Sequence, residues 1–353
     1  MKRCDDMKKV CEKLAFMAGL ITLVTILTTP MVVADGMFVS EEYLHLYEPY
    51  QKAVIYWDGF SETLILSSAV KTYNLTDIAW IVPIISTTMP NVTAGDMSAF
   101  RDLVDYFKEL EYLHYYGWMR DVILANGKNV TVLESKEIDI YDVVILKATS
   151  ASDLINWLVE NNFNVSKEAY PLIEKYVNMN NCYFVINKID LKNRFQKVLE
   201  EIENGTIPYS SSEYREYQDV LLALNQGMAT PLKFKFTPIR PYYPLIISSL
   251  SAGYGIIEVY FIGEQPAIDK NNMLKVEECK EVNLSLREKL SKHFSVEKAD
   301  YVTRLSFYGE LKDLVDDAEF TFHPLSKPEL LTALVVLSIA AVAVVSRKTI
   351  LHR

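Results

Sequence analysis

The sequence predicts an α+β fold with mixed, largely antiparallel sheets and helices packed against them. Pairs of short apolar runs separated by turn residues outnumber strand–helix–strand units, which favours antiparallel pairing. Between these pairs, apolar residues recur at spacings of three and four and indicate amphipathic helices. No Pro-, Gly- or Ser-rich linker divides residues 35–328. We therefore expect one folded body there, with a candidate subdomain boundary at residues 190–230.

The first predicted elements form a β-hairpin. Residues 52–56 are strand-like, the dipeptide Asp58-Gly59 is a turn signal, and residues 61–67 supply the return strand. The next run, residues 79–82, should end at Pro83 or lie at a sheet edge, because proline has no N–H to donate. Further strands are predicted at residues 130–133, 143–147, 183–189, 232–236, 245–249, 256–262 and 301–306.

The clearest helix is predicted at residues 96–116, where apolar residues recur at spacings of three and four and Asp96 can cap the first turn. Pro171 is tolerated in the first turn of another helix, at residues 171–177. Further helices are predicted at residues 153–160, 195–204, 213–224, 286–294 and 310–315.

The charge of the chain argues against nucleic-acid binding. Residues 14–328 contain 28 basic and 42 acidic residues, a net charge of −14. Affinity for nucleic acid comes largely from Lys and Arg that displace counterions from phosphates. We therefore expect no nucleic-acid partner.

The N-terminal segment predicts export. Residues 14–34, LAFMAGLITLVTILTTPMVVA, carry no charge and follow a basic start. Their length suits a signal anchor, whereas Pro30 and the small residues up to Ala34 suit a signal peptide cleaved after Ala34. Both alternatives stay open, and both place the following chain on the extracytoplasmic side.

The C-terminal segment predicts a transmembrane helix at residues 329–346 and a cytoplasmic tail at residues 347–353. The run from Leu330 to Ser346 is apolar on every face, and Arg347-Lys348 follow it directly. We expect a cell-membrane protein that spans the bilayer once, or twice if the N-terminal segment is retained. Membrane lipid is then one partner.

Two residue types bear on an extracytoplasmic location. The triplet Asn-x-Ser/Thr accepts N-linked glycans, and an extracytoplasmic body makes these asparagines candidates. The triplets begin at Asn74, Asn91, Asn129, Asn164, Asn204 and Asn283. Cys182 and Cys279 are the two cysteines of the body and could form a disulfide in an oxidising compartment, although two ordinary thiols are the alternative.

Several stretches resemble a known family. They are QKAVIYWDG at residues 51–59, ETLIL at 62–66 and AWIVP at 79–83, with shorter similarities at 141–146, 158–162, 237–240 and 243–245. Over most of residues 35–325 the chain resembles the prokaryotic secreted domains known as domain of unknown function 2330. The resemblance implies a signal peptide before the domain and often a membrane segment after it. It implies no activity.

No catalytic motif stands out. The four histidines of the body, His45, His114, His293 and His323, are not spaced as metal ligands, and no phosphate-binding glycine loop is present, so we predict no metal and no cofactor. Asp58 and Glu62 flank the first hairpin, where they could share a proton or a cation. The alternative is an ordinary type I′ turn at Asp58-Gly59 followed by a solvated Glu62.

These observations favour a non-catalytic module that binds or organises an extracytoplasmic protein or glycan. Two alternatives remain. One is a cell-surface hydrolase that uses a carboxylate pair such as Asp58 and Glu62, and the other is an assembly factor for envelope or exported proteins.

Overall fold

The computed structural model describes residues 37–40, 50–71, 77–107, 134–179, 181–251 and 253–322. Within these ranges, fifteen strands and six α-helices confirm the predicted α+β fold. Both predicted terminal segments lie outside the described ranges. Among the helices of the described ranges, none is long and apolar enough to cross a membrane.

The strands are numbered in chain order. They are β1 (Met37–Ser40), β2 (Tyr50–Trp57), β3 (Glu62–Ser68), β4 (Ile78–Ile85), β5 (Asn91–Ala94), β6 (Glu134–Ile138), β7 (Tyr141–Leu146), β8 (Cys182–Ile189), β9 (Leu232–Phe236), β10 (Tyr242–Tyr243), β11 (Tyr254–Gly263), β12 (Ala267–Asp269), β13 (Lys275–Glu281), β14 (Tyr301–Glu310) and β15 (Ala318–Phe322). The helices are α1 (Ser98–Phe107), α2 (Ala151–Glu160), α3 (Ala169–Asn178), α4 (Leu191–Glu203), α5 (Ser212–Gln226) and α6 (Leu284–Leu290).

Three sheets organise the body. The largest has seven strands in the order β13-β14-β11-β2-β3-β9-β5, the second has five in the order β1-β4-β8-β7-β6, and the third is β10-β15-β12. Every pair of neighbouring strands is antiparallel except β2 and β11, which run parallel. The sheets are therefore mixed and largely antiparallel, as the hairpin signals predict.

The two larger sheets enclose the main core, and each carries helices on its outer face. Strand alternation explains this arrangement, because successive side chains of a strand point to opposite faces. In β2, Ala53 and Ile55 enter the main core, while Val54 and Tyr56 pack with α1 and α6. Helices α2 and α3 cover the outer face of the five-stranded sheet in the same way.

Local sequence signals set several helix ends. The Ser150 hydroxyl accepts a hydrogen bond from the backbone N–H of Asp153 at the start of α2, and Ser211 does the same for Tyr214 in α5. Helix α5 ends at Gly227, whose φ of 63° is left-handed. Asp96 also behaves as predicted, because its carboxylate accepts from the backbone N–H of Ser98 before α1.

Some predicted elements differ from the structure. Residues 245–249, predicted as a strand, lie mostly in a 3-10 turn at Ile246–Leu250. Strand β4 continues through Pro83 to Ile85 and pairs with β8 throughout, while its described pairing with β1 ends at Ile81. Proline is tolerated there because it lies beyond the end of that ladder.

The ends of two predicted helices also differ. Helix α6 stops at Leu290, and residues 310–315 contain only a 3-10 turn, Leu311–Asp313. The predicted strand at 130–133 and the part of the 96–116 helix beyond Phe107 lie outside the described residues. The candidate subdomain boundary at 190–230 stays a prediction.

Candidate functional site

The seven-stranded sheet has two chemically different ends. Because β2 and β11 are parallel, Tyr50 and Tyr254 lie at one end, whereas Trp57 and Gly263 lie at the other. We call the first the tyrosine end, since it also holds Tyr308 of β14, opposite Ile256. We call the second the loop end.

A cluster of buried and half-buried polar side chains lies toward the tyrosine end, on the outer face of the sheet. Its centre is Glu258, whose Oε2 accepts a hydrogen bond from the Tyr50 hydroxyl at 2.5 Å. Its Oε1 accepts from the Tyr260 hydroxyl at 2.8 Å and pairs with Arg304 Nε at 3.0 Å. Lys52 Nζ lies 4.7 Å from the centre of the Tyr50 ring. We call these five residues the glutamate cluster.

Strand register brings the glutamate cluster together. Glu258 and Lys52 are register partners in the parallel pair, and Tyr260 is the partner of Arg304 in the antiparallel pair. Residues two apart on a strand share a face, so Tyr50 lies beside Lys52, and Glu258 beside Tyr260. In the sequence, Lys52 and Glu258 are the charged residues of two otherwise apolar strands. This pattern did not lead to a predicted site.

Burial changes the proton affinity of the cations in this cluster. Removal from water lowers the pKa of Lys52 to about 7, while the negative charge of Glu258 acts in the opposite direction. Burial likewise lowers the pKa of Arg304 from its ordinary value. Burial thus weakens the hold of Lys52 on its proton, and the cluster combines one carboxyl group, two phenols and two basic side chains.

Two exposed aromatic side chains continue the same face. Tyr254 is 58% exposed and Tyr308 is 62% exposed. Both side chains lie on the same face of the sheet as the glutamate cluster, because residues an even number of positions apart on a strand share a face. Tyr254 precedes Glu258 by four residues, and Tyr308 follows Arg304 by four. The tyrosine end thus presents exposed rings beside a rigid polar base.

Asp58, the first predicted site residue, closes the loop between β2 and β3. Its Oδ1 accepts from the backbone N–H groups of Phe60 and Ser61 at 2.8 and 2.6 Å, and its Oδ2 accepts from the Ser61 hydroxyl. Burial raises the pKa of Asp58, but these hydrogen bonds outweigh it, so the net pKa is lowered. Trp57 pairs with Glu62, which leaves four loop residues, so the predicted two-residue type I′ turn is wrong.

Glu62, the second predicted site residue, is completely buried, so its interpretation as a solvated residue is also wrong. Its Oε2 accepts from the backbone N–H of Tyr242 at 3.0 Å, and its Oε1 has no hydrogen-bond partner in the described part of the chain. Burial raises its pKa well above the ordinary value. Asp58 and Glu62 bond to different groups, and no described hydrogen bond joins them.

A third buried carboxyl joins two layers of the body. Asp317 Oδ1 accepts from the Tyr176 hydroxyl at 2.6 Å and from the backbone N–H of Ile246 at 2.9 Å. Burial raises the pKa of Asp317 to about 6. Because Tyr176 belongs to α3 and Asp317 immediately precedes β15, these bonds connect a helix on the five-stranded sheet to the three-stranded sheet.

The candidate glycosylation sites differ in exposure. Asn91 and Asn204 are exposed, and Asn164 is half-buried beside Ser40. Asn283 is exposed, but its Oδ1 caps α6 by accepting from the backbone N–H of Leu286. Asn74, Asn129 and the candidate cleavage point Ala34 lie outside the described residues.

The two body cysteines belong to different sheets. Cys182 is buried in β8 of the five-stranded sheet, and Cys279 is exposed on β13 of the seven-stranded sheet. Both are free thiols in this structure.

Comparisons with known proteins identify a family but no activity. The model of a family described as uncharacterized protein conserved in bacteria, DUF2330, matches residues 29–206, which confirms the resemblance noted in the sequence over that part. No curated protein matches the chain. A crystal structure of baculovirus P35 is 13% identical, covers 80% of this chain and 98% of that chain, and has a TM-score of 0.39, which is too low to support an argument.

Proposed function

The chain belongs to the DUF2330 family of uncharacterized bacterial proteins, and we propose that it is a membrane-anchored, extracytoplasmic module that binds a protein or glycan partner without catalysis. The anchor is the apolar segment from Leu330 to Ser346. The basic residues Arg347 and Lys348 after it favour a cytoplasmic tail. The apolar segment at residues 14–34 supports export of the body.

The exposed rings of Tyr254 and Tyr308 beside the glutamate cluster are the observation that carries the binding function. Tyrosine offers a large apolar ring and a polar hydroxyl at low conformational cost, and it is enriched at recognition surfaces. The ion pair of Arg304 with Glu258 joins β14 to β11, the two strands that carry the rings. A preordered surface loses less entropy when a partner binds.

Site-specific photocrosslinking on intact cells tests this surface. A photoreactive phenylalanine at position 254 or 308 should capture one partner, whereas the same group at Tyr209, which is 69% exposed between α4 and α5, should capture none. Equal capture at all three positions, or capture at 209 alone, would exclude the tyrosine end as the binding surface.

A separate fractionation tests the anchor. The chain should remain in membranes after a carbonate wash, and protease added outside intact cells should remove the body. Release by carbonate, or a body protected from external protease, would overturn the proposed topology.

One observation favours an enzyme as the second candidate. A buried lysine with a pKa of about 7 beside a carboxylate is typical of catalytic sites. The proposed hydrolase would then use Lys52 and Glu258, since the described contacts do not bring Asp58 and Glu62 together. Hydrolysis of a generic ester or glycoside panel by the purified chain, lost in Lys52→Met and retained in Lys71→Met, would establish it.

A further inference from the structure

Three loops at the loop end each expose a large apolar side chain. Phe60, between β2 and β3, is 73% exposed, and Ile239, between β9 and β10, is 85% exposed. Met89, between β4 and β5, is also exposed. Single exposed apolar residues are common on proteins, but their grouping at one end of a sheet marks a contact surface.

Strand register places the three loops at the same end of neighbouring strands. Glu62 pairs with Phe236 and Asn91 pairs with Lys235, so Phe60 and Met89 lie level with the residues that immediately follow β9. Strands β3 and β5 flank β9, which separates their loops by two strand spacings, or about 10 Å. Hydrogen bonds from Thr87 to the carbonyl of Thr237 tie the second loop to the third.

The chain leaves the described body at this same end. Tyr242 pairs with Glu319 in antiparallel strands, so the residues before Tyr242 run beside the last residues of β15, which ends at Phe322. Phe322 also pairs with Ala267, four residues after β11 reaches the loop end at Gly263. Seven residues then precede the apolar segment that starts at Leu330, and such a length spans at most about 25 Å.

The charged groups around the three apolar side chains are largely paired. Arg240 lies 2.6 Å from Glu319, and Lys298 lies 3.3 Å from Glu264. The positive charge of Lys235 helps to lower the pKa of Asp58. The loop end therefore offers an apolar contact with little net charge, which suits the interfacial region of a bilayer.

We propose that the loop end rests on the lipid surface, with Phe60, Met89 and Ile239 inserted among the headgroups. This inference rests on the proposed membrane anchor. A short connection to that anchor keeps these side chains close to the bilayer, and burial of apolar area then favours their insertion. The body would stand on the membrane with the tyrosine end facing away from it. Strand β11 alone spans about 30 Å between the two ends.

The position of Asn91 gives a further test of the proposed lipid contact. Asn91 follows Met89 by two residues at the loop end, and a bulky glycan there would hold the surface away from lipid. We therefore expect Asn91 to be unmodified in the native protein. A glycan found on Asn91 by mass spectrometry would overturn the lipid contact.

Fluorescence of the full-length chain in vesicles of phosphatidylcholine and phosphatidylglycerol tests the contact directly. An environment-sensitive dye is attached to Phe60→Cys or Ile239→Cys in a chain carrying Cys4→Ser, Cys11→Ser and Cys279→Ser, while Cys182 stays buried. Both dyes should shift to shorter wavelength and be quenched by lipids brominated near the headgroup. The matched dye on Tyr209→Cys should do neither, and a rise in salt from 0.1 to 0.5 M should change none of the signals.

The outcomes separate the two proposals. Dyes at 60 and 239 that stay in water, in a chain that resists carbonate extraction, would overturn the lipid contact and leave the anchor intact. Extraction of the chain by carbonate would instead overturn the anchor. A dye shift in native membranes that is absent from purified vesicles would assign the loop end to a protein partner, and self-quenching between labelled copies would assign it to a second copy of the chain.

Discussion

Glu258 and Glu62 lie on the same seven-stranded sheet, and both are buried, yet their surroundings are opposite. Glu258 accepts hydrogen bonds from two tyrosines and pairs with Arg304. Glu62 receives one backbone N–H, has an unpartnered Oε1 in the described part of the chain and has a raised pKa. Glu258 therefore has partners for both of its carboxyl oxygens, whereas burial with a single donor raises the pKa of Glu62.

The largest effect should follow removal of the Glu258 charge. Glu258→Gln keeps the shape but removes the carboxylate that compensates Arg304 and Lys52, so we expect a loss of about 3–5 kcal/mol in unfolding free energy. Urea unfolding of the detergent-solubilised chain, followed by tryptophan fluorescence, measures it. The control Glu278→Gln, in an exposed ion pair with Lys280, should lose less than about 1 kcal/mol. A loss of less than about 1 kcal/mol in Glu258→Gln would show that the carboxyl group of Glu258 does not stabilise the cluster.

Asp317 is an intermediate case, because its carboxyl group has two donors and, among the described residues, no cation in direct contact. Tyr176→Phe removes one donor from a buried carboxyl, and we expect a loss of about 1–3 kcal/mol. The same urea measurement applies. Tyr209→Phe, at an exposed site, is the matched control and should leave the stability unchanged. An unchanged midpoint in Tyr176→Phe would show that this bond does not stabilise the layer contact.

The pH dependence of stability should identify Glu62. Its raised pKa means that the folded chain keeps this proton at pH values where the unfolded chain has released it. This group therefore lowers stability as the pH rises from its ordinary value of 4.5 through the folded pKa. Glu62→Gln should match the parent near pH 4 and be the more stable of the two at pH 8. Identical pH profiles for the two chains would show that folding does not raise the pKa of Glu62.

The smallest effect on stability should come from the exposed part of the tyrosine end. Tyr254→Ser together with Tyr308→Ser should change the unfolding free energy by less than about 1 kcal/mol, since exposed substitutions away from special features rarely exceed ~0.5 kcal/mol each. Partner capture, measured with the photoreactive group at Ile256, should nevertheless disappear. Retained capture would show that the rings are not the contact.

Local sequence patterns predicted most of the regular elements but few of the short ones. Strands β2, β3, β8, β9 and β11 and helices α2 to α5 correspond to predicted runs. The two-residue β10 and three-residue β12 were missed, because so short a run carries no periodicity. Each exists only because β15 pairs with it. The same limit explains residues 245–249, whose apolar run of three residues is too short to distinguish a strand from a turn.

The candidate sites were harder to predict than the fold. Asp58 was recognised as a turn residue, and its hydrogen bonds to Phe60 and Ser61 are local. The glutamate cluster joins three separate segments of the chain. Tyr50 and Glu258 are 208 positions apart, and Glu258 and Arg304 are 46 positions apart. No local pattern predicts such a pairing, because strand order is decided by how complete sheets pack.

The sequence by itself determined the α+β class, the first hairpin, the cap at Asp96 and the family. These depend on turn chemistry, on hydrogen bonds within a few residues and on periodicity, all of which are local. Tertiary structure alone decided that Glu62 is buried under Tyr242, that β2 pairs in parallel with β11, and that the two ends of one sheet carry different chemistry. The reason is that burial and register depend on partners far along the chain, and only the folded chain brings them together.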